Sequence, residues 1–223
     1  MNVTLFRLGS AIGILLGSLL SAASAAAKPK THDGFQLRFS GGVGLLAMSR
    51  SVDTEVAGSN ENEQSELGGL GESAEVLFGG TPARGLVIGG GLYVVNAVKP
   101  KLDRATSNDV DLIRDLTFVH AGALVDWYPD PHAGLHFGGL VGVSGAVGEA
   151  PGTRSLTERV GGVGPCLALH LGYDFWLGRE WSLGPELRTF VASTRDTRQE
   201  SSFTAQEQSW LYGSSLLLSA AYH

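Results

Sequence analysis

The chain has 223 residues, with 16 Lys and Arg against 22 Asp and Glu, for a net charge of −6. It lacks the surplus of basic side chains that neutralises phosphates, so no nucleic-acid partner is expected. Cys166 is the only cysteine, which excludes an intrachain disulfide, a zinc finger and a redox pair, while the 32 glycines stand far above the roughly 7% of ordinary proteins.

Arg7 precedes an apolar core from Ala11 to Leu20, and the small residues from Ser21 to Ala27 offer two A-x-A sites, Ala23-Ser24-Ala25 and Ala25-Ala26-Ala27. The apolar run is about half the roughly 20 residues a spanning helix needs. Residues 1–27 therefore read as a cleaved signal peptide and 28–223 as the mature chain. No cysteine near the cleavage region offers a lipoprotein anchor. Past the signal, no segment has the length and apolarity of a transmembrane helix. An exported chain of this kind is either soluble or spans as a closed barrel, whose strands satisfy every backbone group in lipid.

From residue 35 onward the pattern is period-two alternation, in segments longer than the five or six residues of a typical strand. In the first, Phe35 to Met48, one face holds Phe35, Leu37, Phe39, Val43 and Leu45, and the other Gln36, Arg38, Ser40, Gly42 and Gly44. The second, Leu67 to Gly79, is poorer. Glu72 and Glu75 have opposite parity, so one faces outward unless a bulge intervenes. Gly85 to Asn96 sets Leu86, Ile88, Leu92 and Val94 against Gly89, Gly91 and Tyr93. Leu112 to Tyr128 is irregular, with Arg114 and Asp115 placed beyond the apolar stretch. The fifth segment is the cleanest: Leu135, Phe137, Val141, Val143 and Val147 oppose His136, Gly138, Gly142 and Ser144. Next, Val163, Leu167, Leu169, Leu171, Tyr173 and Phe175 oppose Gly162, Gly164, His170, Gly172 and Asp174. Trp181, Leu183, Leu187 and Val191 then oppose Ser182, Gly184, Glu186 and Arg188. The last segment carries Trp210, Tyr212, Leu216, Leu218 and Tyr222 on one side.

A soluble sandwich gives the same alternation with its apolar face inward, but two features favour a lipid-facing arrangement. Connections alternate long (49–65, 97–110, 148–159, 194–208) and short (80–84, 129–132, 178–180), as in bacterial barrels with short periplasmic turns and longer outer loops, and four long with three short imply eight strands with both termini on the periplasmic side. Aromatics also gather by depth. Phe35, Phe78, Trp127, Tyr128, Phe137, Phe175, Trp176, Trp181 and Tyr222 all adjoin a short turn or a terminus, forming one interfacial belt. Trp210, Tyr212 and Phe118 are expected in a sparser outer ring.

The stretch from Tyr212 to His223 resembles the C-terminal signal read by the barrel-assembly machinery. Gly213, Leu216, Leu218 and Tyr222 take its glycine, hydrophobic and aromatic places, and His223 departs from it, because the final residue is usually the aromatic one. With these features the whole mature chain resembles the small OmpA/OmpX-type outer-membrane barrels. The resemblance implies an all-β fold, an eight-stranded antiparallel up-and-down transmembrane barrel in the bacterial outer membrane. It also implies outer-membrane lipid and, during biogenesis, the assembly machinery as partners. It speaks to fold and location far more than to activity.

Parity sends Arg38, Glu75, His120, Asp126, His136, His170, Asp174, Glu186 and Arg188 inward. Facing lipid, an Arg near the midplane would cost roughly 2–4 kcal/mol, whereas inside the barrel opposite charges can pair. Inward glycines such as Gly42, Gly89, Gly138, Gly164 and Gly184 make room for these large partners. The expected result is a polar plug that stiffens the barrel and blocks flow. His120, His136 and His170 lie on consecutive strands near Asp126 and Asp174, residue types that hold transition metals. The commoner reading is an ordinary polar lumen, so neither a metal nor a cofactor is expected. Cys166 reads as packing. Catalysis is not expected either. Outward Ser214 has no histidine on its face, and Ser201, Ser202 and Asp196 lack a base. The acidic stretch 49–65, with Asp53, Glu55, Glu61 and Glu63, reads first as a solvated loop; the alternative is that it bridges divalent ions to the anionic outer leaflet or, as one of the long loops, meets an extracellular ligand.

The function expected is a non-enzymatic outer-membrane barrel, structural or presenting its loops for adhesion or recognition. The alternative is a narrow channel or carrier for small or amphipathic solutes. A third reading is a soluble periplasmic lipocalin-like binding barrel.

Overall fold

A computed structural model describes residues 32, 34–56, 59–98, 100–104, 107–112, 115–150, 158–200 and 203–223. The signal segment 1–27, Arg114, Ser201 and Ser202 lie outside the described residues.

The strands in chain order are β1 (Phe35–Val56), β2 (Ser59–Ala83), β3 (Leu86–Val98), β4 (Lys101–Arg104), β5 (Ser107–Leu112) and β6 (Asp115–Trp127). They continue with β7 (Leu135–Ala150), β8 (Glu158–Tyr173), β9 (Phe175–Trp176), β10 (Trp181–Glu200) and β11 (Phe203–Tyr222). Eight are the staves of one closed antiparallel barrel: β1, β2, β3, β6, β7, β8, β10 and β11, with β11 pairing back onto β1. The short β4–β5 hairpin extends the sheet beside β2, and β9 adds to β10.

The stagger follows from the register. Moving from Gly172 through successive partners Glu186, Leu217, Gly42, Ser73, Val95, Phe118 and Ala146 returns to β8 at Gly162, ten residues along. Closing a sheet with such an offset tilts the strands by about 40° and leaves an interior that side chains fill.

The alternation resolves into an inverted distribution of polarity. Outward Val43, Leu70, Val141, Val163 and Leu216 are 60–68% exposed, whereas Arg38 and Arg188 are at most 1% exposed. A soluble barrel would reverse these assignments, so the lipocalin-like reading is not the one the chain adopts. So continuous an apolar exterior is what lipid covers in a barrel wall. Glu72 is the exception in β2. Its register with Val43 and Asn96 runs without a bulge, so it faces outward and Glu75 inward. The irregularity between β2 and β3 falls between Gly80 and Ala83 instead.

Two long connections are shorter than expected because the strands run on. β1 and β2 stay paired as far as Val56 and Ser59, and β10 and β11 as far as Glu200 and Phe203. Polar composition there marks the change from lipid to water rather than the end of pairing.

Of the nine aromatics expected in the belt, two turn inward. Phe35, Phe78, Trp127, Phe137 and Phe175 are 42–58% exposed at the short-turn end, and Trp181 and Tyr222 meet edge to face at 5.5 Å. Tyr128 is fully buried, because it follows outward Trp127 by one residue and points the opposite way. Trp176 leans inward on His32 and His223. Phe118, expected in the outer ring, is also inside, stacked on Phe190 at 4.3 Å. It shares the parity of His120 and Asp126 on β6.

Candidate functional site: a layered lumen

All nine residues expected in the lumen are buried there, and eight of them form one connected cluster in its short-turn half. Arg38 on β1 is the first hub. Its Nη2 donates to Tyr128 Oη at 2.6 Å and lies 3.1 Å from Asp126 Oδ2 and 3.5 Å from Asp174 Oδ2. Its Nη1 donates to Glu186 Oε2 at 3.4 Å. Arg188 on β10 is the second hub, bridging Glu75 and Glu186, the latter at 3.0 Å. Its guanidinium also sits 5.3 Å from the Tyr93 ring centre, within cation–π range.

The histidines join the two hubs. Asp126 Oδ1 lies 3.2 Å from His136 Nδ1 and 3.1 Å from His170 Nε2, and His170 Nδ1 lies 3.3 Å from Arg188. Each ring has its space because the residue paired opposite is a glycine: His136 faces Gly172, and His170 faces Gly138. A Cβ on Gly138 would stand 2.9 Å from His170 Cε1, and one on Gly172 would stand 2.7 Å from His136 Cε1. His120 stands apart, fully buried, with neither ring nitrogen hydrogen-bonded.

The other half of the lumen corrects the expectation of a polar filling. Leu46, Met48, Leu67, Phe118, Phe190 and Leu211 form part of a buried apolar cluster. Arg50 lies above it, paired with Glu207 at 2.9 Å. Between the layers, Ser215 accepts or donates hydrogen bonds to Ser73 at 2.7 Å and Tyr93 at 2.6 Å. A cavity beside Gln36, Arg38, Leu124 and Asp126 is too small to admit water. Cys166 is buried within the apolar cluster.

Below the charged cluster, at the short-turn end, sits a cap that alternation did not reveal. His32 stacks on Tyr128 at 3.5 Å between ring centres, and its Nδ1 is 3.1 Å from His223 Nδ1. His223 hydrogen-bonds Ser182 Oγ at 2.9 Å, and its backbone N–H donates to the Glu180 carbonyl. The departure from a terminal aromatic thus closes the mouth. Neither residue belongs to a strand, so no parity points to it. Tyr128, by contrast, was findable from its neighbour Trp127.

Burial pushes His32 from its usual 6.5 down to about 4, and His223 down to about 3. Both rings are neutral in the folded cap, where one nitrogen must accept from the other. On acidification the unfolded chain takes up these protons first, near pH 6.5. The cap's stabilisation is therefore complete above about pH 6.5 and is lost as pH falls towards 4 and then 3. The urea midpoint of the folded barrel is expected to fall across that window, and His32→Gln to flatten part of the slope. An unchanged slope in the variant would remove the cap as its source.

Fold and interior together define a closed, filled, eight-stranded barrel with an apolar exterior, the architecture of small outer-membrane barrels. The outer membrane protein OprG from Pseudomonas aeruginosa is similar, with a TM-score of 0.54 at 13% identity over 86% of this chain and 98% of that one. The outer membrane protein AlkL, solved in lipid bilayers, matches with a TM-score of 0.48 at 12% identity, covering 88% and 94% of the two chains. The attachment invasion locus protein Ail of Yersinia pestis matches more loosely, with a TM-score of 0.35 at 10% identity over 79% and 98%. No protein-family model and no curated protein matches the sequence.

Proposed function

We propose that this is a non-enzymatic outer-membrane protein whose barrel does not conduct and serves as a rigid base for its outer hairpins. The observation that carries the reading is the doubly sealed lumen. A charged, hydrogen-bonded layer fills one half and an apolar layer the other, while β1–β2 and β10–β11 continue in register far past the apolar wall. A scaffold that holds loops in place suits adhesion or recognition of an extracellular ligand. The lipid-compatible exterior and the likeness to OprG in fold support an outer-membrane location. On this reading residues 1–27 direct export and are removed. The assembly machinery reads Gly213, Leu216, Leu218 and Tyr222 on β11, where Leu216 and Leu218 face outward.

Planar-bilayer recording of the reconstituted mature protein tests the proposal. No single-channel steps are expected at any applied voltage the bilayer tolerates. Regular steps would return the function to the narrow channel.

A further inference from the structure

The fixed charges of the charged layer do not balance, and the difference must be met by protons on its carboxylates and imidazoles or by a bound cation. Glu75, Asp126, Asp174 and Glu186 are buried there, and among the described residues Arg38 and Arg188 are the fixed cations beside them, since Arg50 is paired separately with Glu207. Fully ionised, the layer holds two negative charges in excess. Its side chains are at most 4% exposed, so an excess of that size is costly unless positive charge is supplied.

Three donors converge where that charge would sit. Asp126 on β6, His136 on β7 and His170 on β8 place one ligand atom each within 4.8 Å of one another, all buried. His170 Nε2 lies 3.1 Å from Asp126 Oδ1 yet makes no hydrogen bond of acceptable angle, and His136 Nε2 is also unpartnered. Both imidazoles occupy space left by glycines on the paired strand, so the wall is shaped around them. Mixed imidazole and carboxylate donors suit a borderline divalent ion, at bond lengths of about 2.0–2.2 Å. His136 faces Asp126 through Nδ1, 3.2 Å from Oδ1, and a water would complete the set. Arg38 Nη2 lies 3.1 Å from Asp126 Oδ2 and 3.4 Å from His136 Nδ1, so an incoming ion would displace it from the imidazole and leave it on the carboxylate.

We infer that Asp126, His136 and His170 form a binding site for a divalent transition-metal ion, which neutralises the layer and staples three adjacent staves from within. The residue pattern alone favours a metal-free lumen, and metal titration decides between the two. The site does not depend on whether the barrel presents loops or conducts.

The folded mature protein, stripped with a chelator and checked by its boiling-dependent gel shift, is titrated with Co²⁺ and with Zn²⁺. Refolding in the presence of each ion is done in parallel, because the cap over the mouth slows entry. One ion per chain is expected, with a cobalt absorption band of the kind tetrahedral nitrogen–oxygen sites give and a urea midpoint raised by Zn²⁺. Asp126→Asn and the His136→Gln/His170→Gln pair should lose the band and the shift. His120→Gln, outside the cluster, should keep both. Folded wild-type protein that takes up neither ion by either route overturns the site, and so does uptake that survives both sets of substitutions. In the first case the excess charge is met by protons instead. The wild-type spectrum decides even if the variants fail to fold.

Discussion

Arg38→Met is expected to cost about 3–5 kcal/mol, enough to leave much of the chain unfolded given total stabilities of roughly 5–15 kcal/mol. The reason is the number of groups that depend on one guanidinium. Asp126, Asp174 and Glu186 all lie within 3.5 Å of it, and Tyr128 accepts its shortest hydrogen bond. Methionine fills the volume but leaves four buried carboxylates with one arginine, Arg188, whose ion pairs are with Glu75 and Glu186 and not with Asp126 or Asp174. A urea titration of the heat-shifted band reads the loss directly. The charge argument is checked by Arg38→Met combined with Asp126→Asn and Asp174→Asn, which should recover most of the stability. If the single variant unfolds at the wild-type urea concentration, the cluster is not holding the barrel in the way its geometry indicates. If the triple variant recovers nothing, Arg38 acts through shape rather than charge.

Gly172→Val should be the second largest effect. The Cβ would enter the His136 imidazole, 2.7 Å from Cε1 and 3.3 Å from Cδ2, with Nε2 nearer still. The ring has nowhere to retreat, because Tyr128 stacks beside it at 5.0 Å and Asp126 holds Nδ1. Overpacking of this kind costs about 1–3 kcal/mol, and losing the buried hydrogen bond adds roughly 1 kcal/mol. Gly145→Ala is the control. The nearest heavy atom to its Cβ is 3.6 Å away, an ordinary contact, so its urea midpoint should barely move. Combining Gly172→Val with His136→Ala removes the colliding ring and should restore part of the midpoint. Equal losses in the Gly172 and Gly145 variants would mean that backbone entropy, and not the space for the histidine, explains the glycine.

Much of this molecule is written locally. Strand identity follows from period two, because a strand must turn successive side chains to opposite faces. That rule alone separates Arg38 from Phe39 and His136 from Phe137. The number of staves followed from the alternation of connection lengths, and the inward set from parity. The same rule turns Tyr128 inward beside outward Trp127, Trp176 inward beside Phe175, and Phe118 inward in step with His120. The division of the lumen into a charged layer and an apolar one is different in kind. Met48, Phe118 and Phe190 share a layer, and Arg38, Asp126 and Glu186 another, only because a ten-residue stagger sets the depth at which each strand meets its neighbours. Stagger is a property of closure and cannot be read from one strand. The same holds for the pairing of His136 with Gly172 and of His170 with Gly138, and for the meeting of His32 with His223, 191 residues apart. By itself the sequence determined which side chains face inward, since that depends on neighbours along the chain. The tertiary structure alone decided which of them touch, since that depends on how the sheet closes.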